Sequence, residues 1–303
     1  MSSAAKIVCI LGPTGAGKTA VSLGLAEKFS AQVVNFDSRQ VYRDFPIITA
    51  QPDERDKAVC PHHLYGMLET TEAVSAASFV DMAKSVIEEV KPELPLLVGG
   101  TGLYLQALTS GLAPIPDIPE EVRENIRRRL EAEGSPALFK ELESIDPEYA
   151  AKTHPNNRQR NARALEVFEA TGKTFSWWHN RVQPPSPYDS LKVGIAVDLD
   201  ELTPLLAKRI DMMIEAGAIE EVRKAWEKCP DPDAPGWTGI GCSEVLSYFR
   251  GDLSLEEAKK LWMANTRAYA KRQITWFKRD SEINWFSPGS LNEVSDLVEN
   301  WLV

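Results

Sequence analysis

The chain lacks a long apolar run. The longest near its start, Ile7-Val-Cys-Ile-Leu11, is far too short for a signal peptide or a membrane span. It also lacks cysteine pairs: the four cysteines, at 9, 60, 229 and 242, form no CxxC, and no histidines sit at zinc-finger spacing. That argues against disulfides and structural zinc, and a reducing cytoplasm is the expected compartment. Excess positive charge is missing too. A net charge of −10 speaks against broad nucleic-acid affinity, yet leaves room for a local basic patch, because counterion release depends on the charges at the contact. No internal repeat or low-complexity tail is present. What is there is bulk: 303 residues, 43% hydrophobic, enough for one large core or two smaller ones.

The strongest local signal is Gly12-Pro-Thr-Gly-Ala-Gly-Lys-Thr19, which fits G-x4-G-K-[ST]. An apolar strand precedes it and a helical stretch, Ala20 to Phe29, follows. Glycines let such a loop curl so that backbone N–H groups face a polyphosphate, aided by the helix N-terminus. Lys18 adds a point charge and the Thr19 hydroxyl can hold Mg²⁺. Taken alone, the loop suggests ATP.

Apolar runs at Ile7–Leu11, Val33–Phe36 and Leu94–Val98 alternate with helical patterns at 18–29 and 74–90. This alternation predicts an α/β fold with a parallel sheet, whose functional loops lie beyond the carboxyl ends of the strands. By that rule Gly12–Thr19, Asp37–Gln40 and Gly99-Gly-Thr-Gly102 open on one edge. Pro114, Pro116 and Pro119 mark a boundary, after which the pattern turns helical and charged to about His179; Pro184-Pro-Ser-Pro187 closes the segment. A strand at Leu191–Val197 then rejoins the sheet, followed by helices at 203–228, 241–250, 254–278 and 291–302. The expected organisation is a core of 1–114 and 191–303 with a helical insertion domain at 115–190.

Asp37 ends a strand beside the phosphate loop. A carboxylate there can take a proton from a nucleophile, or it can simply cap the next turn or reach a Mg²⁺-bound water. Thr101 can offer its hydroxyl to the same phosphates, although its glycines also suit a plain strand–helix junction. The strand before it ends in Gly99 where an NTP-driven motor would place a Walker B Asp. Ile195-Ala-Val-Asp198 is a weak substitute. His62 and His63 have no partners at metal spacing. Between Lys259 and Arg279 there are seven Lys or Arg and no Asp or Glu. On a helix, Lys260, Arg267, Lys271 and Lys278 fall within about 40° of one another, opposite Trp262, Tyr269 and Trp276. The aromatics are expected on the core and the cations outward, as an anion-binding surface. In the insertion, Arg123, Arg127, Arg128 and Arg129 alternate with glutamates that can pair with them. Arg158, Arg160 and Arg163 follow the capping sequence His154-Pro-Asn-Asn157, near a helix start that favours phosphate.

Taken in order, these motifs resemble those of the tRNA dimethylallyltransferases, along nearly the whole chain. Gly12–Thr19 is similar to GPTxSGKT, Asn35-Phe-Asp-Ser-Arg-Gln-Val-Tyr42 to the segment carrying DSxQ-Y, and Val98-Gly-Gly-Thr-Gly-Leu-Tyr104 to VGGTGLY. His154-Pro-Asn-Asn…Arg163-Ala-Leu-Glu-Val167 is similar to HPND…RALEV, and Thr266-Arg-Ala-Tyr-Ala-Lys-Arg-Gln-Ile-Thr-Trp276 to TRxYAKRQxTW. The resemblance implies a P-loop NTPase-like core flanked by helices, of the bacterial type without a zinc finger. It also implies an unusual ligand: Gly12, Pro13, Thr14, Gly15, Ala16, Gly17, Lys18, Thr19 and Arg209 would grip the pyrophosphate of dimethylallyl diphosphate, with Mg²⁺ at Thr19. Asp37 would be the general base, with Thr101 beside the reacting groups. The acceptor would be the adenosine just 3′ of the anticodon. The tRNA anticodon stem-loop would meet Asp37, Ser38, Arg39, Gln40 and Thr101, then Arg123, Gln159, Arg160, Asn161, Ala162 and Arg163, and finally Lys271, Arg272, Gln273, Trp276 and Lys278. A monomer is expected. The chain departs from the family's usual residues at Gln51, Leu205 and Cys242, where Lys, Arg and Tyr are common. Competing readings are a small-molecule P-loop kinase, which leaves both basic regions without a purpose; a non-catalytic RNA-binding ATPase, which leaves Asp37 idle; and a prenyltransferase of free adenine nucleotides.

Overall fold

The computed structural model describes residues 4–181 and 186–303, so Pro184 and Pro185 lie outside the described residues. In chain order come β1 (Ala5–Leu11), α1 (Lys18–Phe29), β2 (Ala31–Asn35), α2 (Glu54–Val59), β3 (His62–His63), α3 (Ala76–Glu89), β4 (Leu94–Gly99) and α4 (Gly102–Thr109). Five helices follow: α5 (Glu120–Glu133), α6 (Ser135–Ile145), α7 (Pro147–Ala150), α8 (Arg158–Thr171) and α9 (Phe175–His179). Then come β5 (Tyr188–Ile195), α10 (Leu199–Glu215), α11 (Ala218–Lys228), α12 (Cys242–Phe249), α13 (Leu255–Phe277), β6 (Asn284–Phe286) and α14 (Leu291–Leu302). Two compact units result, 1–109 with 186–303, and 110–185, where the sequence reading drew the insertion at 115–190.

In the first unit the strands form one sheet in the order β3-β2-β4-β1-β5-β6, every pair parallel. Its central strands are apolar on both faces, as a sheet covered on both sides requires. On one face Val8, Ile10, Val33, Leu96 and Val193 pack with Leu25 of α1 and Val294 and Val298 of α14. On the other, Phe36 meets the Phe79 ring edge-on at 5.5 Å, and Phe79 stacks on Tyr104 at 4.1 Å, which seats α3 and α4. Register aligns Leu11 with Gly99 and Asn35 with Val98. The loops after β1, β2 and β4 therefore leave the same edge.

Three sequence expectations need adjusting. The last long strand begins at Tyr188 and stops at Ile195, and the segment 203–228 is two helices broken at Gly217, whose φ is +103°. Strands β3 and β6, of two and three residues, are too short for an apolar period to reveal. They are the sheet's edges.

The second unit packs α5, α6, α7 and α8 around Ile126, Leu138, Leu142 and Leu165, with Tyr149 and Phe175 at the margin. Asn157 caps α8 through the Arg160 N–H at 3.2 Å.

Candidate active site

The loop after β1 owes its shape to glycines at φ +147° (Gly12), +81° (Gly15) and +90° (Gly17), values that side-chain-bearing residues rarely adopt. Gly12 and Gly15 are also too close to neighbours to carry a Cβ, which would lie 2.9 Å from Ile195 O and 2.8 Å from Leu206 Cδ2. Within the loop, Ala16 N–H donates to Pro13 O at 3.2 Å and Thr14 N–H to Gln273 Oε1 at 2.9 Å. The amides of Gly15, Gly17, Lys18 and Thr19 donate to no acceptor among the described residues. Four unspent N–H groups at the start of α1 form an anion cradle. Lys18 Nζ lies against the loop carbonyls, 3.0 Å from Gly12 O and 2.9 Å from Pro13 O. Burial pushes Lys18 down to about 8; the negative charge of Asp37 opposes that shift and the Arg209 guanidinium adds to it. Arg209, on α10, is itself held below its usual value by burial, again opposed by Asp37. Lys18 and Arg209 thus share one electrostatic neighbourhood with Asp37.

Asp37 is fixed by Asn35, to which the sequence reading gave no role. Asn35 is 0% exposed, and its side chain accepts from Asp37 N–H at 2.7 Å while donating to Asp37 O at 3.1 Å and Leu64 O at 2.9 Å. A polar residue inside the run Val33-Val34-Asn35-Phe36 was the available signal. Asp37 Oδ1 accepts from Arg39 N–H at 2.9 Å, so the turn-capping role is real. Its Oδ2 has no hydrogen-bond partner among the described residues, which leaves one oxygen for proton transfer. Thr101 is tied to the same turn: its N–H reaches Phe36 O at 3.1 Å and its hydroxyl accepts from Ser38 N–H at 3.0 Å. Gly99 must be glycine here, because a Cβ would sit 2.1 Å from Phe36 O. Tyr269 of α13, one of the aromatics expected on the core side of the helix, has a hydroxyl that burial first, and Asp37 next, hold well above the usual tyrosine range, with Thr101 opposing them.

The remaining motif residues mostly brace one another. Gln40 Nε2 donates to Thr49 O at 3.1 Å and Ala50 O at 2.6 Å, and Gln51 Nε2 to Tyr42 O at 2.7 Å. Glu221 of α11 accepts from Ile47 and Ile48 N–H at 2.7 and 2.9 Å; burial still raises its carboxyl to about 7 against those donors. Arg39 reaches Thr238 Oγ1 at 2.7 Å. His62 and His63 bond Cys60 O and Gln32, and burial lowers both imidazoles. Asp198, the weak Walker B substitute, is spent as the cap of α10, 2.8 Å from Asp200 N–H.

The long basic helix α13 begins at a capping box of Ser254 and Glu257. Two expectations for it change. Arg267 is not a free cation of the stripe: it bonds Asp200 at 2.9 Å and Thr203 at 3.0 Å. Gln273 is only 4% exposed, with its amide engaged by Thr14 N–H and Gly100 O, so it faces the loop and not the surface. A helical wheel places it among Trp262, Tyr269 and Trp276, a signal present in the sequence. Trp262 is buried, while Trp276 and Tyr269 are half-buried; a Cβ on Gly102 would lie 2.1 Å from Trp276 Nε1. Lys260, Lys271, Arg272 and Lys278 are exposed without an ion pair among the described residues.

In the second unit, Arg123 sits 3.8 Å from Glu120, Arg129 binds Glu133 and Glu141 at 2.9 and 2.5 Å, and Arg163 pairs with Glu166 at 3.0 Å. Arg158, Gln159 and Arg160 are exposed in the first turn of α8, and neither arginine has an ion pair among the described residues. Asn161 and Ala162, expected at the RNA, belong to the interior. Asn161 is 0% exposed and donates to Ser135 Oγ, His154 O and Pro155 O; Ala162 packs in the helical core.

Residues 40–280 match the family model described as IPP transferase, and residues 5–58 match that of an isopentenyl transferase. The chain is 66% identical over 297 residues to a tRNA dimethylallyltransferase of Maridesulfovibrio salexigens, covering 98% of this chain and 97% of that one. It is 55% identical to that of Oleidesulfovibrio alaskensis, over 97% of both. Its fold is similar to a full-length tRNA isopentenylpyrophosphate transferase from Bacillus halodurans, with a TM-score of 0.72, 35% identity, and coverage of 97% of this chain and 96% of that one. It is also similar to a eukaryotic dimethylallyltransferase acting on tRNA, with a TM-score of 0.82, 28% identity, and coverage of 98% of this chain and 80% of that one. A P-loop edge carrying Asp37 and Thr101, together with these likenesses over the full chain, shows that the protein belongs to the IPP transferase family, the tRNA dimethylallyltransferases.

Proposed function

We propose that the protein transfers a dimethylallyl group from dimethylallyl diphosphate to the exocyclic N6 amine of the adenosine adjacent to the anticodon on its 3′ side in tRNA. N6 attacks C1 of the dimethylallyl group, the C1–O bond breaks with its electron pair leaving on diphosphate, and the N6 proton passes to Asp37 Oδ2. An adenine amine is a poor nucleophile, because its lone pair is delocalised into the ring, and proton removal during attack contributes about 10²–10⁴-fold. The observation that carries this reading is the shared placement of Asp37, braced by Asn35, beside Lys18 and Arg209. Four loop amides, Lys18 and Arg209 supply fixed positive charge where the leaving group develops negative charge. Thr101, locked to Ser38, would orient the reacting groups.

Mg²⁺ would further neutralise the departing diphosphate. The exposed Thr19 hydroxyl in the first turn of α1 fits such a hard ion, and among the described residues no three His, Cys, Asp or Glu side chains converge to hold a metal. Its other ligands would be diphosphate oxygens and water. The target base must leave its stack, which costs a few kcal/mol and less in a loop than in a duplex. Lys271, Arg272 and Lys278 in the first unit, and Gln159 and Arg160 in the second, would take tRNA phosphates. No helix among the described residues is long and apolar enough to cross a membrane, which suits a cytoplasmic tRNA-modifying enzyme.

The test supplies dimethylallyl diphosphate and Mg²⁺ with unmodified tRNA or AMP, and ATP in a parallel reaction. Prenylated tRNA is expected. Prenyl-AMP alone, or ATP turnover without prenyl transfer, would overturn the proposal.

A further inference from the structure

The family motif on α13 runs from cations to Gln273 without a break, so Gln273 reads as one more RNA contact. Its surroundings contradict that. The side chain is buried, its Oε1 accepts from Thr14 N–H at 2.9 Å, and its Nε2 donates to Gly100 O at 3.0 Å. Among the described residues no other side chain bonds both glycine-rich turns. We propose that Gln273 is a positioning residue for the diphosphate: it fixes the P-loop in its anion-binding shape by clamping it to the turn after β4. This rests on reading the P-loop as the diphosphate grip.

The physical need for a clamp is clear. A loop with three glycines at positive φ pays a large ordering cost when it closes on an anion, unless something has already ordered it. Gln273 also decides which amides face the ligand. With Thr14 N–H drawn to Gln273 and Ala16 N–H to Pro13, the unspent donors are those of Gly15, Gly17, Lys18 and Thr19. The clamp's other end demands glycine. A Cβ on Gly100 would lie 1.9 Å from Gln273 Nε2, so Gly100→Ala would push the amide out from the opposite side. Two substitutions on different elements should therefore share one phenotype.

The experiment measures binding of inorganic pyrophosphate with Mg²⁺, binding of unmodified tRNA, and the kcat and KM for dimethylallyl diphosphate. It compares wild type with Gln273→Met, Gly100→Ala and Lys18→Ala. Losing the clamp should raise the pyrophosphate Kd and the KM for dimethylallyl diphosphate about tenfold in both Gln273→Met and Gly100→Ala. Their tRNA Kd should stay within about twofold of wild type, because no phosphate contact is removed. If Gln273→Met instead weakens tRNA tenfold and leaves pyrophosphate unchanged, Gln273 is an RNA contact and the proposal falls. If Lys18→Ala loses pyrophosphate while the two clamp variants keep it, the proposal fails and the diphosphate reading survives. If Lys18→Ala also binds pyrophosphate as wild type does, both fail together.

Discussion

Two asparagines are fully buried, one in each unit, and they do different work. Asn35 in β2 engages its amide oxygen once and its amide nitrogen twice, and it holds the Asp37 backbone by both N–H and C=O. Asn161 in α8 donates to His154 O and Pro155 O in the segment leading into its own helix and to Ser135 Oγ at the start of α6, while its Oδ1 has no partner among the described residues. The first braces Asp37, the group that the proposed reaction uses as its base. The second braces the start of α8, where the exposed Gln159 and Arg160 are the proposed phosphate contacts.

Substitution can break that contrast. Asn35→Leu should have the largest effect: three half-buried backbone groups lose partners, at about 1 kcal/mol each, and a displaced Asp37 should slow turnover about 10²-fold. Single-turnover rates at saturating tRNA check this, with tRNA affinity nearly unchanged. Next in size, Lys271→Glu with Arg272→Glu should weaken tRNA about tenfold or more and reduce the slope of log K against log salt by about one to two. Arg127→Glu is the matched control, since α5 already balances Arg127 with Glu124 at 4.0 Å. Equal slopes for the two variants would make the α13 stripe an ordinary solvated surface. Asn161→Leu should cost about 1–2 kcal/mol of stability and weaken tRNA a few-fold, leaving the single-turnover rate intact.

The smallest effect concerns pH. Glu221, which holds the turn that Gln40 also grips, has a carboxyl raised from 4.5 to about 7 in the folded chain. Between those values the folded state keeps a proton that the unfolded state releases, so stability falls as pH rises from 4.5 toward 7 and is flat above. Glu221→Gln lacks this titration. Its melting temperature relative to wild type should therefore climb across that window, and a constant difference would refute the assignment.

Much of the fold and part of the site were legible in the sequence because the carriers are local. Gly12–Thr19, Asp37 and Thr101 each sit within a few residues of a strand end, and parallel strands bring such ends together whatever the rest does. The partners that finish the site are not local. Arg267 is neutralised by Asp200, and Thr14 is held by Gln273, through contacts that no stretch of sequence displays. Within a run of cations, the wheel position of Gln273 mattered more than its neighbours. Asn161 likewise lies beside exposed Arg160, yet faces the core.

The central claim, that Asp37 takes the proton while other surfaces hold the RNA, is tested most directly by Asp37→Asn, which keeps the shape and the Oδ1 acceptor for Arg39 N–H. The rate of prenyl transfer in a single turnover should fall about 10²–10⁴-fold with tRNA and pyrophosphate affinities close to wild type. A rate equal to wild type, or a loss explained wholly by weaker tRNA binding, would contradict it.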